Sequence, residues 1–166
     1  MKKLEVTAYD LAQRFVGTAE APGMASNPLV LAMLRLDQAW PAGDDVAWCS
    51  AFLNFVAWLL RLPRSKSLSA RSWLQVGTPV ALEDAVAGFD VVILQRGTGA
   101  QPGAEVLNAP GHVGLFAGFE PGELFTGAAS TVRLQGKVLL LGGNQGDQVS
   151  IASYPAGRVL GVRRLV

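Results

Sequence analysis

The chain of 166 residues holds one cysteine and one histidine. A single cysteine excludes an internal disulfide framework, and beside a single histidine it excludes the usual Cys/His zinc clusters. Whatever chemistry exists therefore uses few groups. Charge is scarce too: 16% of residues are charged, and 14 Lys and Arg against 13 Asp and Glu leave a net charge of +1. That balance provides no field to hold a polyanion, which argues against a basic nucleic-acid binder. Long hydrophobic runs are also missing. The most apolar stretch, 46–60, is interrupted by Ser50 and Asn54 and bounded by Asp45 and Arg61. It falls short of the roughly 18 residues of a spanning helix, so a buried helix is expected and no integral membrane segment. After Met1, Lys2 and Lys3, residues 4–10 lack the apolar core of a signal peptide. Synthesis in the cytoplasm without a secretory signal is the expectation.

What is present suffices for a core, since half of the residues are hydrophobic. The length fits one domain over residues 1–166. Thr7 with Asp10 resembles a capping pair ahead of Ala8, Leu11, Ala12, Phe15 and Val16 at helical spacing, and Asn27-Pro28 opens a second helix over 29–36. The polar turn Gly43, Asp44, Asp45 opens a third, stopped by Pro63, and 69–76 forms a short fourth. The pattern then changes to short branched or alternating runs at 91–94, 112–117, 138–141, 149–153 and 159–164, separated by glycine and proline. Helices followed by strands give an α+β domain, its N-terminal helices packed on one side of a small, curved, mostly antiparallel five-stranded sheet. Residues 97–110 form a long surface loop just before the histidine.

Cys49 falls in the first turn of the third helix, where unpaired N–H groups and the helix dipole favour a thiolate. Position alone leaves a nucleophile and a buried apolar cysteine equally supported. His112 stands at the entrance of a strand beside the loop, where its ring suits a general base. If the strand 138–141 pairs antiparallel with the histidine strand, its far end carries Asn144 and Gln145 toward His112. Either amide carbonyl can accept the ring N–H and fix the tautomer, and strand register decides between them. Gly146 and Asp147 read as turn residues, as do Glu120 and Glu123 around Pro121-Gly122.

Four blocks in order, Trp48-Cys49-Ser50-Ala51-Phe52, Ala70-Arg71-Ser72-Trp73-Leu74, Gly111-His112-Val113-Gly114 and Leu141-Gly142-Gly143-Asn144-Gln145, resemble small phage endolysin-like proteins of the NlpC and CHAP superfamily. These are papain-like, cysteine- and histidine-dependent peptidoglycan hydrolases. The matching blocks run from about Asp45 to the C-terminus, and Tyr154-Pro155 and Leu160-Gly161 also fit. The resemblance implies hydrolysis of an amide bond in the peptide part of the bacterial wall, with Cys49 as nucleophile, His112 as base and Asn144 or Gln145 as the polar third residue. The chain departs from many CHAP enzymes, which carry an acidic group where this one carries an amide.

The implied reaction is acyl transfer through a thioester, with the Cys49 backbone N–H as oxyanion donor and no metal or organic cofactor. Trp40, Trp48 and Trp73 can line a groove for substrate or serve as packing, Asp45 can position groups or cap the helix, and Arg71 can meet stem-peptide carboxylates or lie on a solvated face. Bacterial peptidoglycan is the expected partner, with an immunity protein, a holin or a secretion adaptor as further partners. The protein would then act at the wall or in the periplasm, in phage lysis or as an antibacterial effector. Two other readings use the same fold: an inactive cell-wall binding module, and a papain-like acyltransferase.

Overall fold

The computed structural model describes residues 5–120 and 136–166. Met1 to Leu4 lie outside the described residues, as do Pro121, Gly122 and Glu123, for which a turn was the expectation.

The first helix, α1 (Ala8–Gln13), starts where the capping pair requires: the Thr7 hydroxyl accepts from the Asp10 N–H while the Asp10 carboxylate accepts from the Thr7 N–H. Asn27 caps α2 (Pro28–Leu34), its side-chain oxygen accepting from the Leu29 N–H with Pro28 at the first helical position. The third helix, α3 (Cys49–Leu59), begins at Cys49 itself. The turn expected to open it does other work, because the Asp44 carboxylate accepts from the Ala21 and Asn27 N–H groups at 2.9 and 2.7 Å and ties the start of α2 to the approach to α3. The fourth helical segment, Ala70–Gln75, is a 3₁₀ helix rather than an α-helix. Such short runs are held by tertiary contacts more than by their own ladder.

Among the described residues the sheet has six strands, all antiparallel: β1 (Thr78–Val80), β2 (Asp90–Gln95), β3 (Gly111–Phe119), β4 (Lys137–Gly142), β5 (Ser150–Pro155) and β6 (Val159–Arg164), in spatial order β1-β6-β2-β3-β4-β5. The expected count was five. The missed strand is β1, three residues around Pro79 that pair with β6 at the sheet edge. Too short to alternate and interrupted by a proline, it carries no strand signal, and an edge is where a sheet tolerates proline.

Period-two alternation sorts the strand residues onto two faces. Val91, Ile93, Val113, Leu115 and Leu141 join the helices in one buried cluster with Val30, Phe52 and Trp73. Val92, Leu94, Phe116, Val138, Leu140 and Val162 form a second cluster with Leu82 and Ala156. The central strands are thus covered on both sides, whereas β5 alternates between half-buried and exposed as an edge strand does. Register shifts in β2 after Ile93 and in β3 around Gly118 break the ladder locally and bend the sheet.

Candidate active site

Cys49 is the first residue of α3, so it sits in the turn whose backbone N–H groups have no helical acceptor. Trp48 is the residue before the helix, and no side chain caps it. Asp45 is exposed and stands ahead of the helix start, which removes it as the helix cap. Trp48 and Trp73 are each fully buried, with no surface to offer a substrate. Both were candidate groove residues, and both are packing residues with satisfied indoles. Trp48 Nε1 donates to Glu20 Oε1 at 2.7 Å, and Trp73 Nε1 donates to Ser50 Oγ at 2.9 Å. Trp40 is exposed, outside the cleft that holds Cys49.

His112 is the second residue of β3, opposite Leu94 of β2. Its Nε2 lies 2.9 Å from Gln145 Oε1. The amide nitrogen of Gln145 donates to the backbone oxygens of Leu140 at 3.2 Å and Ser150 at 2.5 Å, which fixes the direction of the amide. Its oxygen therefore faces the ring, and an oxygen can only accept. Nε2 carries the proton, and Nδ1 is left with the lone pair of a base.

Register explains why Gln145 and not Asn144 makes this contact. Antiparallel pairing of β3 with β4 brings the end of β4 beside the start of β3. The chain then reverses, and Asn144 is one of the residues that turn it, at φ +56°. Asparagine tolerates that left-handed conformation better than most side chains. Gly146 and Asp147 follow at φ +65° and +59°, as turn residues should. Gln145, anchored through its N–H to the Gln148 carbonyl, is the residue whose side chain returns under the ring.

A fourth group joins the site. The Tyr154 hydroxyl donates to Gln145 Oε1 at 3.0 Å and lies 3.2 Å from His112 Nε2, while its ring packs against the imidazole at a centroid distance of 5.1 Å. Burial first, with the Cys49 sulfur adding to it, pushes the Tyr154 phenol up to about 12, so it stays a donor throughout the physiological range. The resemblance takes in the Tyr154-Pro155 pair but implies no role for Tyr154. The signal lay in its place on β5, which pairs with β4 immediately beyond the turn.

Burial dominates the titration of the pair. It raises the Cys49 thiol above its ordinary value, against the opposing pull of the backbone N–H groups of Val113, Ser50 and Cys49 and of the Arg96 charge. It also lowers His112, and hydrogen bonding to Gln145 only partly offsets this. At neutral pH the resting state is thus a thiol at Cys49 and a neutral imidazole at His112. The Val113 N–H that faces the sulfur belongs to the residue after His112, which ties the head of α3 to the histidine strand.

Cys49 opens on a cleft of about 430 Å³ whose lining includes Ser69, Arg96, Asn108, Pro110 and Gly111. Arg71, expected at a solvated face or against substrate carboxylates, does neither. It is fully buried, with Nε donating to the Pro110 oxygen and Nη1 to the oxygens of Pro102, Gly103 and Val106. The guanidinium thereby shapes the loop that forms one wall of the cleft. Gly111 must be glycine for the same reason: a Cβ there would lie 2.9 Å from Arg71 Cγ and 3.1 Å from the Leu94 oxygen.

Among the described residues no group of three or more His, Cys, Asp or Glu side chains could hold a metal ion, and no helix is long and apolar enough to cross a membrane. No family model, no curated protein and no solved structure matches the chain.

Proposed function

We propose that the protein is a papain-like, cysteine-dependent amide hydrolase acting on the peptide part of peptidoglycan. The observation that carries this reading is the oriented imidazole: Gln145 fixes the proton on His112 Nε2 and leaves Nδ1 as a base, with Cys49 at the head of α3 beside the next residue of the strand.

The steps follow from those positions. Cys49 Sγ attacks the amide carbon as its proton passes to His112 Nδ1, so no free thiolate is required beforehand. The oxyanion meets the Cys49 backbone N–H at the helix start. The C–N bond breaks as the imidazolium returns the proton to the leaving nitrogen, and a thioester remains. Water attacks the thioester with His112 as base. The C–S bond breaks, the sulfur recovers its proton, and a carboxylic acid is released. Gln145 and Tyr154 orient the ring, and the amide dipole stands where other sites place a carboxylate, so the imidazolium receives less stabilisation.

The wall as substrate rests on the four ordered sequence blocks. In this reading the protein reaches the wall by release during phage lysis or by delivery as an antibacterial effector, and a holin, an adaptor or an immunity protein would accompany it. Incubation of purified peptidoglycan with the wild type and with Cys49→Ala, followed by mass spectrometry, tests the proposal. Soluble fragments from the wild type alone are expected, and their new ends name the bond. A folded wild type that is retained on the wall but releases nothing would replace this reading with that of a binding module.

A further inference from the structure

Among the described residues the cleft beside Cys49 has one charged side chain in its lining, Arg96. Arg96 follows the last residue of β2, where Gln95 pairs with Gly111, and its backbone N–H approaches the Pro110 oxygen at 3.4 Å. The pairing places it at the mouth of the cleft, across from the start of the histidine strand. Its side chain is exposed and makes no hydrogen bond or ion pair with any described residue. Two other arginines near this wall and sheet are engaged. Arg71 is spent on loop carbonyls, and Arg164 pairs with Asp90 at 2.7 Å.

Arg96 also acts on the reacting groups. Its charge opposes the effect of burial on Cys49 and adds to the lowering of His112, so its field reaches both. No carboxylate of the described residues contributes to either shift. An otherwise neutral cleft with one free guanidinium at its rim is electrostatically incomplete, and a planar fork of donors fits a carboxylate in two-point contact.

We propose that Arg96 is a specificity residue that binds a carboxylate of an acidic peptide, next to the amide that Cys49 attacks. This deepens the hydrolase reading and rests on Cys49 being the nucleophile. It names the substrate class as a peptide with a free carboxylate within about one residue of the scissile amide, as opposed to its carboxamide form. A cleft of about 430 Å³ lies within the range of small-ligand sites and suits a fragment of that size.

The test exploits Cys49 as the only thiol in the chain. Rates of alkylation are measured with iodoacetate, which carries a carboxylate, and with iodoacetamide, its neutral analogue, for the wild type, Arg96→Gln and Arg96→Lys. The imidazole is common to all three proteins, so a change in the iodoacetate to iodoacetamide ratio isolates Arg96. The ratio should fall about fivefold in Arg96→Gln at low salt, should be largely retained in Arg96→Lys, and should converge among the proteins as salt screens the rim charge. Equal ratios in the wild type and Arg96→Gln would overturn the assignment of Arg96 and leave the hydrolase reading intact. A folded wild type whose thiol reacts with neither reagent would overturn both. A second arm compares synthetic stem peptides with the carboxylate free or amidated. Arg96→Gln should raise KM for the acid form alone, and an equal effect on both forms would count against carboxylate recognition.

Discussion

Gln145 Oε1 accepts from His112 Nε2 at 2.9 Å while the nitrogen of the same amide is held by the backbone oxygens of Leu140 and Ser150. The amide cannot flip without breaking two bonds, so it acts as a fixed dipole against a buried ring. Replacing it by a carboxylate keeps the shape and adds a charge, and it gives up the two bonds that the amide nitrogen donates. Gln145→Glu should raise the His112 pKa above its depressed wild-type position, because an anion favours the imidazolium. NMR titration reads this directly, since the chain has one histidine. The sign for stability follows. In the wild type the folded pKa lies below 6.5, so the unfolded chain takes up the proton first, and stability is full above pH 6.5 and falls as pH drops below it. Gln145→Glu should weaken or reverse that acid-side loss in thermal melts. An unchanged titration would mean that Gln145 does not set the electrostatics of the ring.

Asn144→Gly supplies the contrast. At φ +56° glycine is at ease, and no hydrogen bond to His112 is lost. Under the proposed hydrolase reading its rate should remain within about twofold of the wild type, whereas Gln145→Ala should lose roughly a hundredfold or more, in keeping with what positioning of a histidine base would contribute. Comparable losses in both variants would return Asn144 to the site.

Much of this arrangement was legible in the sequence, for local reasons. The capping pair at Thr7 and Asp10, the Asn27-Pro28 start and five of the strands rest on short-range patterns that the structure retains. The α3 start was displaced because Asp44, which resembles an opening residue, is bound to Ala21 and Asn27 from another part of the chain. The choice between Asn144 and Gln145 depended on a turn whose left-handed residues have to be seen in place. Trp48, Trp73 and Arg71 illustrate the same limit. A tryptophan or arginine near a candidate nucleophile reads equally well as a surface contact, and only the tertiary contacts show that all three are buried.

A second consequence concerns the thiol. Burial raises Cys49 above its ordinary value near 9 and keeps His112 neutral. Alkylation by iodoacetamide should therefore climb with pH through and beyond pH 9, instead of levelling off at acid pH as a preformed thiolate–imidazolium pair would. A plateau below pH 6 would show that the ion pair exists before substrate arrives, and would shift the proton transfer ahead of attack.

Gly143 couples the helix head to the turn that carries Gln145. A Cβ at this position would lie 2.6 Å from Trp48 Cζ3 and 2.8 Å from Phe52 Cβ, and neither can move without displacing α3. Gly143→Ala should cost about 1–3 kcal/mol, the usual range for forced overpacking, and should lower the melting temperature. Because Cys49 follows Trp48, the same shift moves the sulfur relative to His112. Activity at temperatures where the variant is fully folded should fall as well. A variant with wild-type melting and wild-type rate would mean that the contact yields without cost.

Arg71 allows two opposing effects to be separated. Among the described residues its guanidinium is buried without a carboxylate, which is costly, and Nη2 has no hydrogen-bond partner. Arg71→Met removes that cost but leaves the oxygens of Pro102, Gly103, Val106 and Pro110 without their donor. Those oxygens belong to a loop that can open and be hydrated, so the loss should appear there more than in the core. The expected result is a modest change in global melting with proteolysis between residues 97 and 110 accelerated about tenfold or more. Arg71→Lys should not rescue it, since one ammonium has three donors in place of a planar fork that serves four oxygens here. The loop ends at Pro110, immediately before Gly111 and His112, so its opening should also raise KM while kcat changes less. Equal protease resistance in the wild type and Arg71→Met would show that the loop is held by its own contacts, and that the buried arginine has another reason to be there.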